Sequence, residues 1–405
     1  MSKKTRNHVD DLRGASRLAV EATKSVTDLV EAMHTTIAGG PQVLGRPLAG
    51  PARFFTAPVY GSIRAVTRLV GAGIDAALAP LAGLLGESVP GPEREAVLAA
   101  LNGVLGDYLQ QTQNPLAIPM RFRRDGAPLV LEAQSLAAAF PKPTPKVLVL
   151  VHGSSMNDRQ WTRSGHDHGA ALAQALGYVP VYLHYNSGLH VSTNGRALAA
   201  LIEELAAAWP VPIEELVLLG HSMGGLVSRS ACHFAEAAGH TWRTKLRALA
   251  CLGTPHHGAP LERGGNWIDV LLGVSRYSAP LARLGKIRSA GVTDLRFGNV
   301  RDEDWEGRDR FARAKDGRTP LPLPDGVACF AIAGTTAAEG AKEADGTRLP
   351  GDGLVPVDSA LGRHEDPKLA LAFPEAHRHI AFATPHLDLL ARPAVGTRLA
   401  EWLAP

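Results

Sequence analysis

The chain has 405 residues, 45% of them hydrophobic, which is enough for one large domain with an appendage or for two domains. Its 42 basic and 39 acidic side chains leave a net charge of +3, and with no nucleic-acid motif that balance argues against a nucleic-acid partner. The three cysteines, Cys232, Cys251 and Cys329, lie in apolar runs and are expected as small buried hydrophobes, not as a disulfide or a metal site.

The start of the chain is basic (Lys3, Lys4, Arg6), but no apolar core follows it, so it does not read as a secretory signal and a cytoplasmic location is expected. Val9, Leu12, Leu18, Ala22, Val26, Leu29, Val30, Met33 and Ile37 recur at three- and four-residue spacing, predicting an amphipathic helix that ends at Gly39-Gly40-Pro41. From 32 to 74 there is no acidic residue, while Arg46, Arg53, Arg64 and Arg68 alternate with Phe54, Phe55, Tyr60, Leu69 and Val70. The apolar run to Leu85 is interrupted by Asp75 and Pro80, which speaks against a membrane span. Residues 32–90 therefore read either as a helical layer on the main domain or as a basic surface that associates peripherally with anionic lipid. A second helix starts at Pro92-Glu93-Arg94-Glu95 and places Val97, Leu101, Val104, Leu105 and Tyr108 on one face.

Near residue 115 the pattern changes, so a helical extension (1–115) is expected before an α/β domain (116–405). Residues 120–122 and 129–131 suggest a hairpin around Asp125-Gly126. Residues 147–151 are a continuous apolar run of the kind buried on both faces of a parallel sheet. Helix 167–176, strand 179–185, helix 196–209 and strands 216–219, 248–252, 327–333 and 379–383 continue the alternation. Residues 258–326 interrupt it. They are expected as a lid or acyl-binding insertion, or else as a packing elaboration. Within them Trp267, Ile268, Val270, Leu271, Leu272 and Tyr277 suggest an apolar helical stripe, and Asp302-Glu303-Asp304 a solvated surface.

The chemistry concentrates at Gly220-His221-Ser222-Met223-Gly224-Gly225, between an apolar strand and a helix-favouring stretch. A serine on such a turn is strained and raised above the sheet, and the helix behind it offers backbone N–H groups to an anion. Serine is a poor nucleophile unless a base takes its proton and an acid orients the base. For the acid, Asp352 between Gly351 and Gly353 fits best, with Asp345 and Asp358 as competitors. For the base, His386 follows the last strand, whereas His377 and His379 lie before or within it, and His256 and His257 are expected to shape their loop. The oxyanion donors are expected to be the N–H of Met223 and one from the loop His152-Gly153-Ser154-Ser155, namely Ser154. The chemistry needs no metal or cofactor, and His166-Asp167-His168 and His377-Arg378-His379 each lack a third ligand.

These motifs, with Gly253-Thr254-Pro255-His256-His257-Gly258, resemble the α/β-hydrolase superfamily over residues 119–403. Within it they resemble the lipase and esterase branch that includes bacterial triacylglycerol lipases and GPI inositol-deacylase-like proteins. The resemblance implies a mostly parallel sheet with helices on both faces and a carboxylic-ester hydrolase whose triad is Ser222, Asp352 and His386. Acyl transfer or thioester cleavage by the same triad, and a non-enzymatic lipid-associated protein with a vestigial triad, are the alternatives.

Overall fold

In the computed structural model, the described residues are 13, 14, 16, 17, 91–259, 289–309, 316–341 and 349–405. The expected helix over residues 9–37, the basic segment 32–90, the stripe at 267–277 and Asp345 lie outside them, apart from isolated positions near residue 15. The chain divides into two compact units, one of Met1–Gly91 with Leu109–Ala117 and one of Pro92–Tyr108 with Ile118–Pro405. In the first unit, Asn114 donates to Gly14 O at 3.0 Å and accepts from Leu116 N at 2.9 Å. Among the described residues, no helix is long and apolar enough to cross a membrane.

The second unit begins with α1 (Pro92–Gln111), of which it holds the part up to Tyr108, and is built on an eight-stranded sheet of order β2-β1-β4-β3-β5-β6-β7-β8. The hairpin forms from β1 (Arg121–Arg124) and β2 (Ala127–Pro128), with Asp125 and Gly126 both at positive φ, as a two-residue turn matched to strand twist requires. A short helix, α2 (Ala133–Ala139), leads to β3 (Lys146–Val151). Then β4 (Val179–His184), β5 (Glu215–His221), β6 (Leu246–Leu252), β7 (Ala328–Gly334) and β8 (Arg378–Ala381) run parallel to β3. β1 joins β4 antiparallel.

Alternation along the central strands divides the core. Val147, Val149 and Val151 of β3, with Leu216 and Leu218 of β5, face α4 (Val191–Ala208) and α5 (Met223–Ala238) through Leu198, Ile202, Leu226 and Val227. Leu148, Leu150, Val217 and Leu219 face the other way, onto Leu172 of α3 (His168–Leu176) and Val395, Leu399 and Leu403 of α8 (Pro393–Leu403). Burying both faces is what makes these strands continuous apolar runs. The connections put the strand C-termini on one edge, where the loops after β3, β5, β7 and β8 collect.

Two expectations change. In α1 the predicted face is wrong at Val97, which is 37% exposed, while residues 98–106 are buried without interruption. A helix covered all round shows no clean stripe to read. In the insertion, which also holds α6 (Ala290–Asp294), Asp304 is buried, not solvated: its carboxylate accepts from the N–H groups of Val300, Arg301 and Thr319 at 3.0, 3.1 and 2.9 Å. Cys232, Cys251 and Cys329 are buried thiols, as expected.

Candidate active site

Ser222 lies between β5 and α5, as the N-cap of the helix, with φ 54° and ψ −125°, a conformation that is costly for a residue with a side chain. The fold sustains it by close packing. A Cβ on Gly224 would lie 2.0 Å from Val151 O, and one on Gly220 2.5 Å from Gly225 N, so the helix backbone rests directly on the strand ends. The backbone N–H of Ser222 is tied to Leu252 O at 2.8 Å. Its side chain caps nothing, so the hydroxyl stays available, and the serine is 7% exposed. Met223 is the first residue of α5, where an N–H has no intrahelical acceptor.

Asp352 and His386 come from loops 34 residues apart, after β7 and β8, and meet in a 2.7 Å bond from His386 Nδ1 to Asp352 Oδ2. Asp352 is held on its other side by the N–H groups of Leu354 and Val355, which donate to Oδ1 at 3.0 and 2.8 Å. The histidine is fixed by its own backbone: His386 N donates to Asp352 O at 2.9 Å, and His386 O accepts from His221 Nε2 at 3.1 Å. His221 is the residue before Ser222, and its ring lies 4.8 Å from that of His386, so the pair sits beside the elbow. Burial pushes His221 well below the usual histidine range, which keeps it a neutral donor. With Nδ1 on the carboxylate, His386 Nε2 is buried and has no hydrogen-bond partner among the described residues. Bonding to a carboxylate through Nδ1–H leaves Nε2 as the acceptor of a proton.

The loop after β3 lies against the serine: a Cβ on Gly153 would be 3.0 Å from Ser222 Cβ. His152 Nδ1 donates to Gly153 O at 2.8 Å, and its ring stacks on Tyr185 at 4.3 Å. Tyr185 in turn donates its hydroxyl to His152 O at 2.8 Å. Burial pushes His152 down to about 3, so this neutral support does not titrate near neutral pH. A trans peptide points its N–H opposite to its carbonyl. With Gly153 O turned to the imidazole, the Ser154 N–H therefore faces away from His152.

The competing residues go elsewhere. Asp358 lies in α7 (Val357–Ala360) and pairs with Arg363 at 3.5 Å. His256 accepts from Arg229 at Nδ1, at 3.4 Å, and burial pushes it well below the usual range. His257, pushed to about 4 by burial, accepts from Arg318 at 3.4 Å and takes Ser359 Oγ on its backbone N–H at 3.0 Å. Both shape the loop after β6. In the first H-x-H pair, His166 donates to His168, which donates to Leu389 O, at 2.9 and 2.8 Å.

One cluster was not foreseen. Glu95, Asp158 and His184 are buried and close enough to hold a cation. Arg123 already supplies one, lying 2.6 Å from Glu95 and 3.1 Å from Asp158. Burial alone would raise Asp158, but His184 and Arg123 outweigh it and hold the carboxyl at about 2. Arg123 thus lies where a cation would sit between the two carboxylates and serves as their counter-ion.

Residues 143–320 match the family model for the PGAP1-like alpha/beta domain. No curated protein matches the chain. Among solved structures it is similar to the Pyrococcus furiosus esterase Pf2001, at 14% identity over 64% of this chain and 83% of that one, with a TM-score of 0.35. It is similar to Staphylococcus hyicus lipase at 14% identity, 64% and 93% coverage and a TM-score of 0.35. The type II thioesterase YbtT of the yersiniabactin pathway gives 14%, 64%, 93% and 0.36. The family match covers residues 143–320, less than half of the chain, and that stretch holds β3, β5, β6 and the strand–serine–helix elbow of a mostly parallel sheet of the α/β-hydrolase kind.

Proposed function

We propose that the protein is a serine carboxylic-ester hydrolase that acts on a hydrophobic acyl ester through an acyl-enzyme on Ser222. The observation that carries this reading is the buried 2.7 Å Asp352–His386 bond beside an elbow serine, with His386 Nε2 unpartnered among the described residues. In this reading His386 Nε2 takes the proton as Ser222 Oγ attacks the ester carbonyl. Asp352 holds the ring and stabilises the imidazolium. The N–H groups of Met223 and Ser154 receive the tetrahedral oxyanion, and the leaving alcohol takes the proton back. Water, activated by the same histidine, then releases the acid. An oxyanion donor of this kind is worth about 10²–10³ in kcat.

Hydrolysis of p-nitrophenyl butyrate by the wild type, with its loss in a folded Ser222→Ala protein, is the expected result. Retained activity in the variant defeats the proposal. Acyl transfer or thioester cleavage would use the same residues, and product analysis with and without an alcohol or thiol acceptor separates them. A wild type inert to every ester would favour the non-enzymatic reading.

A further inference from the structure

The loop that carries Ser154 is held by a helix lying outside the residues that match the family. Ser155 has φ +60° and is buried, a left-handed conformation that a residue with a side chain keeps only when its surroundings impose it. One wall of its site is the backbone of α1. A Cβ on Gly103 would lie 1.9 Å from Ser155 Oγ and 2.8 Å from Ser155 Cα, so any larger residue at 103 displaces the loop itself. The second wall is the loop after β4, whose Ser187 Oγ accepts from Ser155 N at 2.9 Å.

That second loop also rests on α1, one turn further along. Asn186 donates to Gly106 O at 2.8 Å, and a Cβ on Gly106 would lie 1.8 Å from Asn186 Oδ1. The other face of the Gly103 peptide is fixed as well, because Ser289 donates its hydroxyl to Gly103 O at 2.6 Å. At the start of the helix, Glu95 is bound to Arg123 of β1, which also binds Asp158, three residues beyond Ser155. A glycine in the middle of a helix is destabilising relative to alanine, so two of them three residues apart point to close approach.

We propose that α1 is a positioning element for catalysis: Gly103 lets the helix backbone lock Ser155 in the left-handed conformation, and Gly103, Gly106 and Ser187 together fix the direction of the Ser154 N–H. The proposal rests on the reading of Ser154 as an oxyanion donor. A displaced donor fails in the transition state and leaves ester binding largely intact, so the loss belongs in kcat.

The test is Gly103→Ala, compared with wild type for kcat and KM on p-nitrophenyl butyrate. Each rate is divided by the sites titrated with a fluorophosphonate, and inhibition by a trifluoromethyl ketone, whose adduct oxygen occupies the oxyanion position, is measured in parallel. The expected result is a kcat per site lower by about 10- to 100-fold, KM within about twofold, and ketone affinity lowered in parallel with kcat. Gly103→Ala with Ser155→Gly removes the Oγ and Cβ that the new methyl meets and should regain severalfold of the lost kcat. A wild-type kcat per titrated site in Gly103→Ala, even with lowered thermal stability, overturns the proposal. If Gly103→Ala does not fold, Ser187→Ala carries the test without adding bulk: kcat falls severalfold at constant KM, and an unchanged kcat overturns the proposal. An inactive, unlabelled wild type overturns the esterase reading and this proposal with it; an active wild type with unaffected variants overturns this proposal alone.

Discussion

Asp352→Asn separates orientation of the base from the presence of the base. Asparagine has the same shape and can keep its Oδ1 on the N–H groups of Leu354 and Val355, which lie at 3.0 and 2.8 Å. That arrangement turns an NH2 group toward His386 Nδ1, now 2.7 Å from Oδ2. Two donors cannot share the contact, so the imidazole must move its proton to Nε2 and present Nδ1 as an acceptor. Nε2 then cannot take the serine proton. The loss expected of a triad with the wrong tautomer is about 10⁴ in kcat, or roughly 5–6 kcal/mol of barrier. The fold loses one charge-assisted bond and keeps a neutral one, a change of about 1–2 kcal/mol. The assay is kcat on p-nitrophenyl butyrate at pH 7 together with the thermal midpoint. A variant within tenfold of wild type would refute the assignment of Asp352 as the orienting acid. A large activity loss that merely follows unfolding would refute the argument from tautomers.

Two further outcomes follow from the same geometry. Gly224→Ala should lower the thermal midpoint by several degrees, because its Cβ would sit 2.0 Å from the carbonyl oxygen of Val151 and neither backbone has room to yield; an unchanged midpoint would contradict the packing that holds the elbow. His168 is pushed by burial from 6.5 to about 4 and is neutral in the fold, while the unfolded chain takes up its proton as pH falls below about 6.5. Its contribution to stability is therefore full above that pH and lost between about 6.5 and 4, an effect of about 3 kcal/mol. Urea denaturation at pH 7.5 and 4 should show a shallower acid loss in His168→Gln than in wild type, and equal losses would refute it.

Much of the sheet was legible because parallel strands covered on both faces are continuous apolar runs, as in residues 147–151 and 216–219. The elbow was legible because Gly220 and Gly224 mark where backbone must touch backbone. The Asp352–His386 contact could be expected only from the position of each residue after a strand, since the two are joined by the sheet and not by sequence. Less could be read where burial contradicts local polarity. Asp302-Glu303-Asp304 looks like a solvated run, yet Asp304 turns inward to take three backbone N–H groups. The group of Glu95, Arg123, Asp158 and His184 draws on four distant stretches, and no spacing announces it. The sequence of α1 suggests one apolar face, but its middle is surrounded on all sides, and a helix so covered carries no periodic signal that marks the other buried faces.

The central claim is that Ser222 is the nucleophile. Incubation with a fluorophosphonate followed by peptide mass spectrometry tests it most directly. The account predicts one phosphonate adduct on the peptide containing Ser222, formed with loss of esterase activity and absent from a folded Ser222→Ala protein. An active enzyme whose Ser222 stays unmodified, or a Ser222→Ala variant that still labels and still hydrolyses ester, would contradict it.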